Sequence, residues 1–314
     1  MNLPPAPQKD TMYFIGVTTK ESSINDVFPR WAELLGLDAV LKGIDHEIHD
    51  SPEAYRQTVK FLKEEELARG ALVTTHKIDI YDAAKDLFDY FDYHAVVQRE
   101  ISCISKIDGK LVAHAKDPIT SGRAIEDFIP EDFWQKHRGE LMIMGAGGSA
   151  RAISSYLFDP ERPEEKHPSR LIINNRSQPR LDKFARIFSE INPDIEVEYN
   201  LTPNPEDNDK ILKELKPYSL IVNATGLGKD RPGSPLTDDC DFPENSLIWE
   251  INYRGDLKFM QQALAQQKEK NLIVEDGWRY FIHGWSEHIS EIFDLELSEE
   301  LLDKLDQAAA EIRK

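Results

Sequence analysis

The chain has 314 residues, and its 38 Lys plus Arg against 57 Asp plus Glu give a net charge of −19. The length suggests about two domains, and the acidic balance excludes a general nucleic-acid binder and a polybasic membrane anchor, which both need a basic face. A 40% hydrophobic share, with five Trp, ten Tyr and fourteen Phe, excludes disorder and predicts packed cores. Cys103 and Cys240 are the only cysteines, too few for a disulfide framework or a Cys-based zinc site. The first residues do not read as a signal peptide, and no run reaches 18 apolar residues, so a soluble, cytoplasmic protein is expected.

Strand-like runs alternate with helix-like segments along the chain. Residues 12–17 read as a strand and 26–35 as a helix with apolar Val27, Trp31, Leu34 and Leu35. Residues 44–48 suggest a second strand. Residues 51–66 suggest a helix capped by Ser51 with Pro52 at its first position. A strand at 71–75 and a helix at 78–88 follow. A second series begins at 141–144, a buried-strand run. It continues through a helix at 149–157, a surface loop at 159–169, a strand at 171–174 and a helix at 179–191. A strand at 195–199, a helix at 205–215, and strands at 219–223 and 247–251 come next, then a helix at 257–267 and a short strand at 272–274. Residues 276–293 and 298–312 read as two helices with no strand between them. Such alternation predicts an α/β fold with largely parallel sheets. The expected layout is a substrate-binding catalytic domain over 1–122, joined by C-terminal helices 275–314 that return to it, and a dinucleotide-binding Rossmann domain over 123–274. His46 and His49, taken as lying on a strand, would face opposite ways, and no metal site is implied.

After the strand ending at Met144 comes Gly145-Ala146-Gly147-Gly148-Ser149-Ala150, a G-x-G-x-x-A turn opening a helix. The first glycine permits the tight turn, the second lets backbone approach a pyrophosphate, and the small Ala150 lets helix and strand pack closely. The helix N-terminus offers N–H groups and partial positive charge to phosphates. The next strand runs into Asn174-Asn175-Arg176-Ser177-Gln178-Pro179-Arg180. No acid stands where the ribose 2′-hydroxyl of NAD would be read, and Arg176 and Arg180 suit a 2′-phosphate instead. The cofactor implied is NADP.

With these residues in view, the chain resembles the shikimate dehydrogenase family from Gly16 to about Leu297. The carrying segments are the glycine turn, Asn175-Arg176-Ser177 with Arg180, and Asn223-Ala224-Thr225-Gly226-Leu227-Gly228, which resembles the family's loop beside the nicotinamide. Asp108-Gly109-Lys110-Leu111 followed by Asp117 keeps the spacing to the family's catalytic aspartate. Thr74-Thr75-His76-Lys77 resembles, in shortened form, the loop ending in its catalytic lysine. The resemblance implies Lys77 as acid/base and Asp117 as its partner. It further implies Ser22, Thr74, Ser102, Tyr253 and His283 as candidate substrate contacts, and Gly145 to Ala150, Asn175, Arg176, Ser177, Arg180, Asn223, Ala224, Thr225 and Gly228 as cofactor contacts.

The departures concentrate on the substrate. Ile24 stands where the family has a second carboxylate-binding serine. Ala71 or Leu72 replaces an asparagine, and Ser102 and Ala115 replace further polar groups. The expectation is an NADP-dependent dehydrogenase acting on a CH–OH group of a cyclic hydroxy acid, a paralogue with a divergent pocket. The family's place is aromatic amino acid biosynthesis. The alternatives are a true shikimate or quinate dehydrogenase with a remodelled pocket, and a non-catalytic NADP-binding regulatory protein. A monomer or homodimer is expected, with no nucleic-acid or membrane partner.

Overall fold

The computed structural model describes residues 3–192, 194–229 and 231–313. The chain divides into two compact units. The first runs to Lys116 and resumes at Gly284; the second is Asp117–His283. The divisions lie six residues before 122/123 and nine after 274/275, and the helix Trp278–Phe293 contributes to both units.

In the first unit, β1 (Thr11–Gly16), β2 (Val40–Asp45) and β3 (Ala68–Val73) form a parallel trio with β1 in the centre. β4 (Tyr90–Phe91), β5 (Cys103–Ile107) and β6 (Lys110–His114) extend it to the order β2-β1-β3-β5-β6-β4. β5 runs antiparallel to β3 and to β6, while β4 is parallel to β6. Asp108 and Gly109, with φ of 51° and 75°, make the two-residue turn between β5 and β6, the pair of left-handed residues that matches hairpin twist. Tyr13, Ile15, Val59, Leu62, Val73 and Ile104 are buried together in this unit's core. Ser51 caps the helix Pro52–Glu64 as expected, accepting from the Ala54 N–H at 3.2 Å. His46 and His49 do not lie on a strand, because β2 ends at Asp45. His49 turns the chain at φ 57°, and His46 is buried, bonded to Asp50 and Thr58.

The second unit holds six parallel strands: β7 (Leu141–Met144), β8 (Leu171–Asn175), β9 (Val197–Leu201), β10 (Leu220–Asn223), β11 (Leu247–Glu250) and β12 (Ile273–Glu275). Their order is β12-β11-β10-β7-β8-β9, so the chain winds outward one way from β7 and then the other way from β10. This is the doubly wound dinucleotide-binding order, whose ligand crevice opens at the strand carboxyl ends where the winding reverses. β7, β10 and β11 are fully buried runs such as LMIM and LIVN, as strands covered on both faces require. Two apolar layers flank the sheet, one around Ile143, Ile153, Phe184 and Trp249, the other around Met142, Ile221, Phe242 and Phe259.

Candidate active site

At the reversal point, Gly145 follows β7 with φ 121°, and its N–H donates to the Asn174 carbonyl at 2.8 Å. A Cβ there would lie 2.4 Å from the Ala224 carbonyl oxygen, so any other residue would push the turn off the loop after β10. Gly147 is the N-cap of the helix Gly148–Leu157, and nothing lies within 4 Å of where its Cβ would be. Open space therefore stands over the free N–H groups of that helix. Ala150 is fully buried, as close helix–strand packing demands.

A cavity of about 270 Å³ opens from this turn. Gly145 to Gly147 and Asn174 to Arg176 line one side, Thr202 to Pro205 another, and Ala224, Thr225 and Leu227 a third. Buried Asn174 and Asn208 brace its floor, with Asn174 Nδ2 donating to Asn208 Oδ1 at 2.9 Å and Asn208 Nδ2 to the Pro235 carbonyl at 2.9 Å. Asn175 Oδ1 accepts from the Ser177 N–H at 2.9 Å, which fixes the bend that carries Arg176 and Arg180 to the cavity. Arg231, which the sequence did not single out, lines the same space. All three arginines are exposed, and none has an ion-pair partner among the described residues. A concave site with free N–H groups, three guanidinium groups and, among the described residues, no carboxylate in its lining suits a ligand with several phosphates. The residues present therefore fit a dinucleotide.

The loop after β10 is tied at many points. Asn223 Oδ1 accepts from Thr225 N–H at 3.1 Å and from Thr225 Oγ1 at 2.7 Å, and Leu227 N–H donates to Thr225 Oγ1 at 3.1 Å. Gly228 N–H donates to the Arg231 carbonyl at 2.7 Å. Beneath it lies a group that sequence reasoning missed. Glu250, the last residue of β11, has no exposed surface, and burial pushes its carboxyl up to about 7 against the pull of hydrogen bonds from Asn252 and Asn223. No sequence pattern marks this burial: an acid closing a strand reads as solvent-facing.

In the first unit, Lys77 opens the helix Lys77–Ala84 and its carbonyl accepts from the Ile101 N–H at 3.0 Å. Thr75 precedes it at φ 54°, a conformation costly for a β-branched residue and typical of functional loops. His76 is fully buried, with Nδ1 2.9 Å from Tyr55 Oη and Nε2 3.2 Å from the Gly16 carbonyl. A carbonyl only accepts, so Nε2 carries the proton and Tyr55 donates to Nδ1. Burial lowers the His76 pKa and keeps the ring neutral, which holds the Lys77 loop against β1. Thr74 Oγ1 lies 3.4 Å from the Ile15 carbonyl, and Ser22 is half-buried in the loop after β1. Ser102 is fully buried, its Oγ accepting from the Lys116 N–H at 2.8 Å.

Asp117 is the first residue of the second unit and is buried. The helix Asp117–Glu126 begins at Asp117 itself. Its carbonyl accepts from Ser121 Oγ at 2.7 Å and Thr120 Oγ1 at 3.2 Å. His283 Nε2 lies 2.7 Å from Asp127 Oδ2, which also accepts from Arg279 Nε at 2.6 Å. Although burial opposes it, these two partners hold Asp127 below the usual carboxylate range. Tyr253 packs its ring against Phe281 and Trp278, at 4.7 and 5.8 Å between centroids. Among the described residues no helix is long and apolar enough to cross a membrane.

The sheet order and the turn at its reversal define a doubly wound α/β protein with a site that fits a dinucleotide. No family model matches the chain. It is similar to the NADP(+) shikimate dehydrogenase of Streptococcus thermophilus, 28% identical over 173 residues that cover 54% of each chain. The chain spans about half the length of such curated relatives. Among solved structures it is similar to the Thermus thermophilus shikimate 5-dehydrogenase in complex with NADP(H) and shikimate, 19% identical with a TM-score of 0.70, covering 96% of this chain and 99% of that one. The Corynebacterium glutamicum quinate dehydrogenase in complex with NAD superposes at a TM-score of 0.75 and 15% identity, covering 96% and 99%. The fold is therefore that of the shikimate and quinate dehydrogenases, and the resemblance read from the sequence is met in these relatives.

Proposed function

We propose that this protein is an NADP-dependent dehydrogenase that interconverts the hydroxyl and keto forms of a small cyclic acid, with Lys77 and Asp117 handling the proton. The observation that carries it is the cavity at the winding reversal, where Arg176, Arg180 and Arg231, with no acidic partner among the described residues, stand beside the open Gly147 turn. NADP supplies or takes up the hydride. Asn175 and the two arginines after it hold the 2′-phosphate end, and the helix Gly148–Leu157 presents its N–H groups to the pyrophosphate. The Lys77 ammonium donates a proton to the carbonyl oxygen in reduction and accepts it back, as an amine, in oxidation. Asp117 orients that amine and a substrate hydroxyl. Ser22, Thr74, Ser102, Tyr253 and His283 are the proposed substrate contacts. The acidic charge and sparse cysteines support a soluble, cytoplasmic protein, and light scattering on the purified protein distinguishes monomer from homodimer.

Calorimetry with NADP and NAD tests the cofactor choice. A charge-assisted hydrogen bond to phosphate contributes about 1.5–3 kcal/mol, so NADP should bind roughly tenfold to a hundredfold more tightly than NAD. Arg176→Ala with Arg180→Ala should erase most of that difference and leave NAD affinity nearly unchanged. Equal or tighter binding of NAD by the unaltered protein removes the assignment of these arginines. The NAD-bound quinate dehydrogenase makes that outcome a real alternative.

A further inference from the structure

We propose that Glu250 is a positioning residue: its buried carboxylate latches the loop Ala224–Gly228 in its cofactor-facing shape and grades cofactor affinity with pH. The inference rests on the dinucleotide reading above. Glu250 Oε2 accepts from Asn223 Nδ2 at 2.6 Å, and Oε1 accepts from Asn252 N–H at 2.9 Å and Asn252 Nδ2 at 2.6 Å. Each side-chain amide spends its other hydrogen on one atom, the Leu227 carbonyl, 3.3 Å from both nitrogens. Two amide groups thus bridge a buried carboxylate to the middle of the loop. Asn223 cannot flip to suit a changed partner, because its oxygen already holds Thr225 N–H and Oγ1. From Thr225 the chain of contacts reaches Ala224, which closes on Gly145 at the phosphate turn.

The latch requires the ionised form. Among the described residues the partners of the two carboxylate oxygens, Asn223 Nδ2, Asn252 N–H and Asn252 Nδ2, are all N–H donors, so a proton on Glu250 points at a donor and one hydrogen bond is lost. Burial brings the ionisation to near neutral pH. The negative charge of Asp276, just beyond β12, raises the pKa further. A buried carboxylate that titrates near neutrality is costly to keep, and such groups concentrate at functional sites. Leu227 and Ala224 line the cofactor cavity directly, so loosening the latch acts on binding.

The test is NADPH affinity by fluorescence titration from pH 5.5 to 9, on the full chain. In the unaltered protein affinity should fall about tenfold as pH drops through the Glu250 transition, a typical coupling between linked sites. Glu250→Gln places an amide nitrogen against a donor at every pH. It should bind about tenfold more weakly at pH 8 and lose that transition, keeping only the titration of the 2′-phosphate near pH 6, common to all variants. Asp276→Asn leaves the latch in place and should move the midpoint to lower pH, which a merely structural role for Glu250 would not produce. It also carries the test alone if circular dichroism shows that Glu250→Gln fails to fold. Parallel profiles for the unaltered protein and Glu250→Gln, or an unmoved midpoint in Asp276→Asn, overturn the latch while leaving NADP binding standing. No NADPH binding by the unaltered protein at any pH sinks the cofactor reading, and the inference with it.

Discussion

Lys77→Ala is expected to lower the rate of hydride transfer by about 10²–10⁴-fold, the usual loss on removing a general acid–base group. Its NADP affinity should stay nearly unchanged, because the phosphate turn and its arginines belong to the other unit. The fold should tolerate the change. Only the Lys77 backbone carbonyl takes part in the bond to Ile101, and alanine is the better helix former. Asp117→Ala should produce a similar rate loss. The bonds from Ser121 and Thr120 go to its backbone carbonyl and survive the change. The double variant should be little slower than either single one, since groups acting as a unit are strongly non-additive. Single-turnover absorbance at the nicotinamide band, with thermal melts as folding controls, reads all three. Wild-type turnover in Lys77→Ala would move the search for an acid/base to His76, Tyr253 or Lys229. Of these, His76 already has both ring nitrogens engaged by Tyr55 and Gly16. A non-catalytic regulatory protein would instead show no turnover before any substitution and unchanged NADP binding after it.

The second unit is legible in the sequence almost element by element because its central strands, β7, β8, β10 and β11, are buried on both faces. LMIM at 141–144 and LII at 171–173 are continuous apolar runs bounded by Gly, Asn and Pro, so strand, turn and helix announce themselves. The first unit was read less well beyond residue 88. Cys103–Ile107 and Lys110–His114 form an antiparallel hairpin, and Asp108-Gly109 is the strongest short hairpin signal a sequence offers. The family resemblance draws on those residues only for their spacing to Asp117. The strand expected at 44–48 lies at Val40–Asp45, because β2, with only Ile44 of its six residues buried, gives a weak apolar pattern. At the site, the glycine turn and the Asn175-to-Arg180 segment carry local signatures. Glu250 and Arg231 do not. Their roles come from β11 lying beside β10 and from the loop after β10 folding over the crevice, long-range facts that no local window contains.

Shikimate should be a poor substrate, with kcat/KM far below the roughly 10⁴ M⁻¹s⁻¹ at the low end for working enzymes. The positions at which the chain departs from the shikimate dehydrogenase pattern lie in the first unit or at its edge, and their surroundings leave little polar capacity. Ile24 has no exposed surface and belongs to the buried face of the helix Ile24–Leu34. It offers no hydroxyl to a carboxylate and cannot turn outward without opening the core. Ala71 and Leu72 lie within β3 and are buried, and Ala115 is buried directly after β6. Ser102 keeps a hydroxyl, but its oxygen already accepts from the Lys116 N–H. Ser22 remains, half-buried, with its hydroxyl unengaged among the described residues. Each missing hydrogen bond to a charged or hydroxyl group costs about 1–3 kcal/mol, and a site lacking several such partners loses orders of magnitude in discrimination. Steady-state NADP reduction with shikimate, quinate and a panel of other cyclic hydroxy acids checks this. The expected result is a compound with one fewer recognised polar group, or an apolar substituent meeting Ile24, turning over well above shikimate. Ile24→Ser should then raise shikimate turnover relative to that compound, provided the melt shows that the core survives. Ordinary shikimate turnover by the unaltered protein would mean that its carboxylate and ring hydroxyls are held by other groups, and Tyr253 and His283 would be the first to replace.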